Sequence, residues 1–254
     1  MNLYYELLQF PVFCVDDLMK YYRNIETART ALKRLLKEGL VLKIRNNMYT
    51  CISGESSEPV ANRYQIGSAI SDSAYISHHT AVEFHGAAEQ VFYDVYVSSR
   101  TTFTDFEFAG YSYHYVPSKC SLGIIDVTLG GGIKVTDKER TMVDCIKDMD
   151  KIAGIEETLA NVATFSSLSE EKILTYLAAY DNQFLYQKTG YILSYHKDRL
   201  KLSDHFFISC RSRIGKSKRY LTKDNQTGHL DKTWGLVVPG RVFQLKNGVS
   251  NDSV

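Results

Sequence analysis

The sequence lacks the features that define several classes of protein. No apolar run reaches the length that spans a bilayer, about 18 residues or more, in a chain of 254 residues. The first ten residues, MNLYYELLQF, do not combine a basic stretch, an apolar run and a small-residue cleavage site, so we expect no signal peptide. The five cysteines are scattered and include no C-x-x-C pair, which favours buried free thiols over a zinc site or a disulfide framework. We therefore expect a cytoplasmic protein with no membrane partner.

The chain also lacks a large net charge. At +1, it has no overall field that would draw the whole molecule onto nucleic acid. The distribution is uneven, because residues 20–45 carry eight Lys or Arg and only two carboxylates. Residues 53–150 carry seven cations and fourteen carboxylates, and residues 151–254 carry fifteen and ten. This pattern is typical of a small DNA-binding region on a body that has another role.

The basic segment at 24–51 predicts an amphipathic helix followed by a β-hairpin. Five apolar residues recur at the i, i+3, i+4, i+7 spacing of one helix face: Ala28, Ala31, Leu32, Leu35 and Leu36. Gly39 ends the helix. A period-two alternation then predicts a strand, with Leu40, Leu42 and Ile44 on one face and Val41, Lys43 and Arg45 on the other. Asn46-Asn47 tolerates the positive φ of a tight hairpin turn.

A basic helix followed by a basic hairpin is typical of a winged helix-turn-helix. In that motif the helix enters the major groove of double-stranded DNA and the wing contacts the backbone. Lysines and short hydroxyls can reach phosphates or bases, and guanidinium forks fit guanine. The predicted DNA-binding residues are Thr27, Arg29, Thr30, Lys33, Arg34 and Lys37 on the helix, and Lys43, Arg45, Asn46 and Asn47 in the wing. The alternative is that these side chains form only a solvated helix face.

The remainder of the chain predicts a larger domain, so the predicted fold class is α+β. A polar linker at 54–59 separates a winged helix-turn-helix at 1–53 from a mixed α/β region at 60–150. That region contains a T-x-x-E capping box at Thr136 and Glu139, which starts a helix. Residues 151–245 predict helices and then short strands at 206–208 and 236–238, and residues 246–254 predict a flexible tail.

Three patterns outside the basic segment raise the question of catalysis. His78, His79 and His85 lack the spacing of a helical zinc pair and have no carboxylate to complete a set. The glycines at 130–132 match neither phosphate-binding loop, and they favour a flexible turn. We therefore predict no metal site and no cofactor. Four carboxylates, Asp126, Asp137, Glu139 and Asp144, leave a nuclease as the alternative, although two-metal catalysis requires them to converge on one point.

A second basic run lies near the end of the chain. Residues 211–223 contain six cations and no carboxylate: Arg211, Arg213, Lys216, Lys218, Arg219 and Lys223. The run is consistent with an exposed loop. It is equally consistent with a second contact to a DNA backbone, or with a surface that binds RNA or an acidic partner. The sequence does not choose among these.

Four segments occur in an order that resembles a known family. NNMYT is followed by AYISHHTAVEFHG, by VTDKERTMVDCI and by GYIL at 190–193. The ordered set resembles the AbiEi family, the antitoxins of bacterial abortive-infection toxin–antitoxin pairs, over about residues 5–240. The resemblance implies a non-enzymatic protein whose winged helix binds inverted repeats in the promoter of its own operon and represses it.

The resemblance also implies a role for the larger domain. In this family that domain is needed to neutralise a toxin of the nucleotidyltransferase fold. The family is described as type IV, which means that neutralisation need not involve a stable complex. Direct contact with the toxin, and the choice between a monomer and a dimer on DNA, both stay open.

Overall fold

The computed structural model describes residues 2–88, 92–128, 131–152, 154–223, 228–240 and 242. Helices and sheets occur along the whole of this range, so the predicted α+β class is confirmed. The chain divides into two compact units. The first contains Met1–Thr80, Phe92–Ser118 and Ile124–Val135, and the second contains Ala81–Val91, Lys119–Gly123 and Thr136–Val254. Within the described residues, each helix is too short or too polar to cross a membrane.

The N-terminal segment of the first unit folds as short helices and a hairpin. Its elements are α1 (Leu3–Leu7), a 3₁₀ helix (Asp16–Lys20), α2 (Ile25–Lys37), β1 (Val41–Arg45) and β2 (Met48–Cys51). The side chain of Asn24 caps α2 by accepting a hydrogen bond of 2.8 Å from the Thr27 amide. Ala28, Leu32 and Leu35 are buried in the cluster that α1 also joins, which confirms the predicted apolar face of α2.

The predicted alternation in β1 is wrong in phase. Val41 is 1% exposed and Leu42 is 37% exposed, the reverse of the expected order, whereas Ile44 is buried as expected. The pairing of β1 with β2 shifts register between Lys43 and Arg45. A bulge of this kind adds a residue to one strand and moves the side chains beyond it to the other face. An alternation rule cannot detect such an insertion.

The turn of this hairpin is fixed to the segment that precedes the 3₁₀ helix. Asn47 has a φ of 53°, as the predicted turn requires. Its side-chain oxygen accepts a hydrogen bond of 3.1 Å from the Val15 amide. Phe13 pairs with Tyr49 of β2 through a β-bridge, and their rings stack at 6.0 Å. The hairpin therefore has a defined orientation within the first unit.

A six-stranded sheet forms the rest of the first unit. The elements of this region are α3 (Arg63–Ala69), β3 (Tyr75–Ile76), α4 (His78–Phe84), β4 (Asp94–Ser99), β5 (Phe106–Phe108), β6 (Tyr111–Pro117), β7 (Ile124–Val127) and β8 (Ile133–Thr136). Helix α4 from Ala81 onward and Thr136 at the end of β8 belong to the second unit. The strand order is β5-β6-β4-β3-β8-β7. Helix α3 lies close against the sheet, because a Cβ atom on Gly67 would lie 2.6 Å from Cδ1 of Ile76. The linker predicted at 54–59 lies inside this unit.

The second unit is mainly helical and ends in a small sheet. Its elements are α5 (Lys138–Ile152), α6 (Gly154–Thr164), α7 (Glu170–Tyr180), α8 (Gln183–Ser194), α9 (Lys197–Leu200), α10 (Asp204–Ser212), β9 (Arg219–Tyr220), β10 (Gly228–Asp231) and β11 (Leu236–Pro239). Its core cluster joins helices α5 to α10 with Trp234 and β11. The sheet has the order β10-β11-β9, with β9 parallel to β11.

Two local predictions in the second unit are wrong. Residues 206–208 belong to α10, because Ser203 caps that helix and Phe206, Phe207 and Cys210 form its buried face. The capping box at Thr136 and Glu139 does not form. Asp137 accepts the hydrogen bond from the Arg140 amide at 2.8 Å, and Glu139 instead accepts one from the Ser169 amide at 2.9 Å. The tail predicted at 246–254 lies outside the described residues.

Candidate nucleic-acid interface

The solvent face of α2 carries several positive charges. Lys33 and Lys37 are exposed on this helix, and Lys43 is exposed on β1 of the same unit. Within the part of the chain that the structure describes, no carboxylate forms an ion pair with any of the three. An unpaired ammonium on a flexible stem retains its full charge for a phosphate or a base. These lysines are therefore the strongest candidates for contacts with DNA.

The two arginines of α2 are partly compensated. Arg29 donates to Glu26 at 2.7 Å, and Arg34 lies 3.7 Å from Glu38. Both pairs are highly exposed, so water and salt screen them strongly and each contributes little to stability. A phosphate or a guanine edge can replace either glutamate at small cost. Arg29 and Arg34 thus stay accessible at the surface, although less freely than the lysines.

The two threonines of α2 are both exposed but form hydrogen bonds within the helix. The hydroxyl of Thr27 donates to the side-chain oxygen of Asn24 at 2.9 Å. The hydroxyl of Thr30 donates to the carbonyl of Glu26 at 2.8 Å. Each hydroxyl proton is therefore engaged in a hydrogen bond within the protein, and the oxygen lone pairs and the methyl group remain on the surface. These groups suit a thymine methyl group better than a phosphate, which requires a donor.

The predicted wing residues differ in accessibility. Asn46 and Asn47 are exposed at the hairpin turn, where Asn47 already accepts the bond from Val15. Arg45 is half-buried, with its guanidinium carbon 5.6 Å from the ring centre of Phe103 and 5.0 Å from that of Phe106. A cation over two aromatic faces is stabilised by their quadrupoles. Arg45 therefore attaches the hairpin to the sheet of the first unit.

The three histidines that we expect not to bind a metal ion, His78, His79 and His85, are buried or half-buried. His78 and His79 are buried, and burial lowers the pKa of His79 to about 4 even though Asp94 accepts a hydrogen bond from its ring. The half-buried His85 contacts the carbonyl of Thr136 at 2.7 Å. Across the described ranges no group of three or more His, Cys, Asp or Glu side chains could hold a metal ion.

Two of the four carboxylates of the nuclease alternative, Asp137 and Asp144, are already paired with cations. Asp137 accepts hydrogen bonds from Lys172 at 3.0 Å and from Tyr176 at 2.7 Å. Asp144 pairs with the buried Arg140 at 2.9 Å. Asp126 lies on β7 in the first unit. Carboxylates that a cation already neutralises have little remaining charge to hold Mg²⁺.

Glu139, the fourth of these carboxylates, lies beside the same lysine. Its carboxylate is 3.6 Å from Nζ of Lys172 and also accepts the bond from Ser169. Hydrogen bonds to Asp137 are the main reason that the pKa of Lys172 is raised, and they outweigh its desolvation. Lys172 is therefore held in its charged form between the two carboxylates. This arrangement is that of a structural ion-pair network.

The second basic run extends from the last turn of α10, through the loop that follows, to three residues beyond β9, all within the second unit. Its cations are exposed except for the half-buried Arg211, whose guanidinium lies 5.5 Å from the ring centre of Trp234. None of the six forms an ion pair within the described ranges. By contrast, Lys172, Lys188 and Lys197 in the same unit each lie within 4 Å of a carboxylate. Among the described residues, the run is thus a region of uncompensated positive charge.

Comparison with known proteins gives a fold and no function. No protein-family model matches the chain. No curated protein matches its sequence. Among solved structures, the chain is similar to the RV2827C protein of Mycobacterium tuberculosis, with a TM-score of 0.63 and 13% identity over 97% of this chain and 93% of that one. At this identity the likeness establishes a shared fold alone.

The sequence also failed to indicate two surface residues. Tyr220 is 50% exposed on the edge strand β9, inside the second basic run. Tyr93 is 69% exposed on the first unit, and its ring lies 6.0 Å from that of Tyr111. With 18 tyrosines in the chain, composition cannot separate exposed rings from buried ones. Only the strand register and the burial of neighbouring residues distinguish them.

Proposed function

We propose that this chain is the antitoxin of a bacterial toxin–antitoxin pair and that it represses its own operon. The main support for this proposal is a set of three exposed lysines that have no ion-pair partner among the described residues. They are Lys33 and Lys37 on a capped helix and Lys43 on the hairpin that follows it. In this proposal α2 is the recognition helix and β1–β2 is the wing of a winged helix-turn-helix. The resemblance of the ordered segments to the AbiEi family supports the antitoxin role.

The chemistry of DNA binding follows from these side chains. Lysines at positions four apart on one helix project from the same side, so Lys33 and Lys37 can enter one groove together. Lys43 on the wing contacts the neighbouring phosphates. The arginines replace their glutamate partners with guanine or phosphate, because a bidentate guanidinium contact is stronger than an exposed ion pair. Inverted repeats in the promoter present two such sites.

A binding assay on the promoter tests the repressor half. The full chain and its Lys33→Ala, Lys37→Ala variant are titrated against a labelled duplex from upstream of the gene. We expect the variant to bind at least about tenfold more weakly, with a log–log salt slope smaller by about 0.9 for each lost phosphate contact. The matched control is Lys119→Ala, Lys138→Ala, which removes two exposed cations of the second unit. If the control loses as much affinity, the assignment of α2 is wrong.

A growth assay tests the antitoxin half. The neighbouring gene, expected to encode a protein of the nucleotidyltransferase fold, is expressed with the full chain or with the same lysine variants. We expect Lys33→Ala, Lys37→Ala to rescue growth as well as the natural sequence. Loss of rescue by this soluble variant would contradict the separation of the two roles. The full chain is required, because the first unit includes residues on both sides of the 54–59 linker.

A further inference from the structure

The small sheet of the second unit has one open face. In its register Tyr220 on β9 lies opposite Val237 on β11, and Val237 lies opposite Leu230 on β10. Residues that pair across strands point to the same face of a sheet. Leu236 and Val238 are fully buried, so they face the core. The row Tyr220–Val237–Leu230 therefore lies on the opposite face.

This row remains accessible to solvent. Tyr220 is 50% and Leu230 is 39% exposed, and Val237 between them is half-buried. A tyrosine on an open sheet face presents a flat π-surface with aliphatic side chains beside it. Nucleobases stack on such a surface without regard to sequence, because every base has a π-face.

Cations flank the same tyrosine along the chain. Lys218 and Arg219 precede Tyr220 directly and Lys223 follows it, and all three are exposed. None of them has a carboxylate partner among the described residues. Exposed charge without compensation favours a polyanion, since each neutralised phosphate releases condensed counterions. An acidic protein segment would match this charge, but its carboxylates do not stack on the ring, whereas every nucleotide brings both a phosphate and a base.

We propose that the open sheet face of β9–β11, together with the basic run at 211–223, binds single-stranded nucleic acid. The phosphates lie along Lys218 and Lys223 and one base stacks on Tyr220, whereas Arg219 pairs with Leu236 and so belongs to the other face. This site is separate from the DNA-binding role proposed for α2, and it does not depend on that role. RNA and single-stranded DNA share the required chemistry, so the experiment includes both.

Fluorescence anisotropy on the full chain tests the site. The probes are labelled oligouridylate and oligothymidylate of about 12 nucleotides, a length typical of stacking platforms. We expect binding to one or both, and tighter binding to one identifies the source. Tyr220→Ala weakens binding about tenfold or more, whereas Tyr220→Phe retains it because the ring is kept. Lys218→Ala, Lys223→Ala lowers the log–log salt slope by about 0.7 for each cation.

Matched variants make the outcome decisive. Tyr93→Ala removes an even more exposed tyrosine of the first unit, and we expect it to leave single-strand binding unchanged. The Lys33→Ala, Lys37→Ala variant is expected to lose duplex binding only. No binding to either probe at low salt, or an equal loss in Tyr93→Ala or in the α2 variant, would overturn the proposal. Displacement of the probe by polyglutamate at equal charge would overturn it as well, in favour of an acidic protein partner.

Discussion

Gly190 of α8 leaves the space that the indole ring of Trp234 fills. A Cβ atom on Gly190 would lie 2.2 Å from Cη2 and from Cζ3 of Trp234, far inside van der Waals contact. One turn earlier in α8, Nε2 of Gln187 donates to the carbonyl oxygen of Trp234 at 3.0 Å. The ring is 4% exposed. These contacts attach the small sheet to the helical core of the second unit, because Trp234 lies two residues before β11.

Gly190→Ala should therefore destabilise the second unit. Alanine is a better helix former than glycine by about 1 kcal/mol, yet overpacking a core costs about 1–3 kcal/mol. A contact this short with a large rigid ring should cost about 3 kcal/mol, the upper end of the overpacking range. After the gain in helix propensity, we expect a net loss of about 2 kcal/mol in the free energy of unfolding. Urea denaturation measures it. Gly54→Ala is the control, since its Cβ would meet only Tyr4 Oη at 3.9 Å; a loss at Gly190 no larger than at Gly54 would contradict the packing.

The buried pair of Arg140 and Asp144 supports a second prediction. Both side chains are almost fully buried, and Arg140 also donates to the carbonyl of Leu122 at 2.6 Å and to Tyr180 Oη at 2.7 Å. Removal of one member of a buried pair leaves an uncompensated charge and costs about 3–5 kcal/mol. We expect a loss of this size for Arg140→Met by chemical denaturation.

Two further variants test whether the burial of this pair, and the interaction between its two charges, account for the loss of stability. Glu26→Ala breaks the exposed pair with Arg29 and should cost no more than about 1 kcal/mol. Arg140→Met, Asp144→Leu should cost less than the two single changes together, because the residues are coupled. Simple additivity in this cycle would show that the charges do not interact.

Helix α2 shows what a sequence pattern predicts well. Its apolar face and the end of the helix near Gly39 follow from a local period and a helix breaker, and both are determined within a few turns. The exposed lysines follow from the same period, because they occupy the positions that remain. The hairpin turn at Asn47 was equally local. Such features need no information from distant parts of the chain.

Helix α10 and β1 show where that approach stops. The run at 206–208 has strand propensity, but a Ser203 cap and burial against the helical core favour a helix. The bulge in β1 depends on its pairing with β2, and the position of Arg45 depends on Phe103 and Phe106, which lie more than fifty residues later. Burial against the rest of the unit decides the helix and the position of Arg45, and strand pairing decides the bulge, so the residue pattern of a single segment does not contain them.

His114 makes the stability of the first unit depend on pH. Its Nδ1 lies 2.9 Å from Asp105 and its Nε2 lies 3.1 Å from Asp94, so both nitrogens act as donors in the imidazolium. Burial lowers the pKa of His114, but the hydrogen bonds to Asp105 and Asp94 outweigh it and the net pKa is raised. A raised pKa in the folded state stabilises the fold below the unfolded pKa, about 6.5, and this contribution is lost as the pH rises through the folded value.

We therefore expect the free energy of unfolding to fall as the pH rises above the unfolded pKa of about 6.5 and through the raised pKa of the folded state. His114→Gln should remove this fall, which thermal or urea denaturation across the range measures. His79 acts in the opposite sense and in a different window. Because the pKa of His79 in the folded state is about 4, this residue destabilises the fold only as the pH falls below its pKa in the unfolded state. An unchanged pH profile in His114→Gln would show that the pairing with the two aspartates is absent in solution.

Arg45 and Lys43 are adjacent basic residues of one hairpin, and the structure gives them different roles. Arg45 lies over Phe103 and Phe106, whereas Lys43 is exposed and unpaired within the described residues. We expect Arg45→Gln to lower the free energy of unfolding by about 1 kcal/mol, the value of a partly desolvated cation–π contact, and to change the salt dependence of DNA binding little. Lys43→Gln should do the reverse, lowering the log–log salt slope by about 0.9 at unchanged stability. Denaturation and promoter titration on the same two proteins measure both quantities. If Arg45→Gln instead lowers the slope as much as Lys43→Gln at unchanged stability, Arg45 leaves the aromatic rings when DNA binds, and the wing contacts the backbone through both residues.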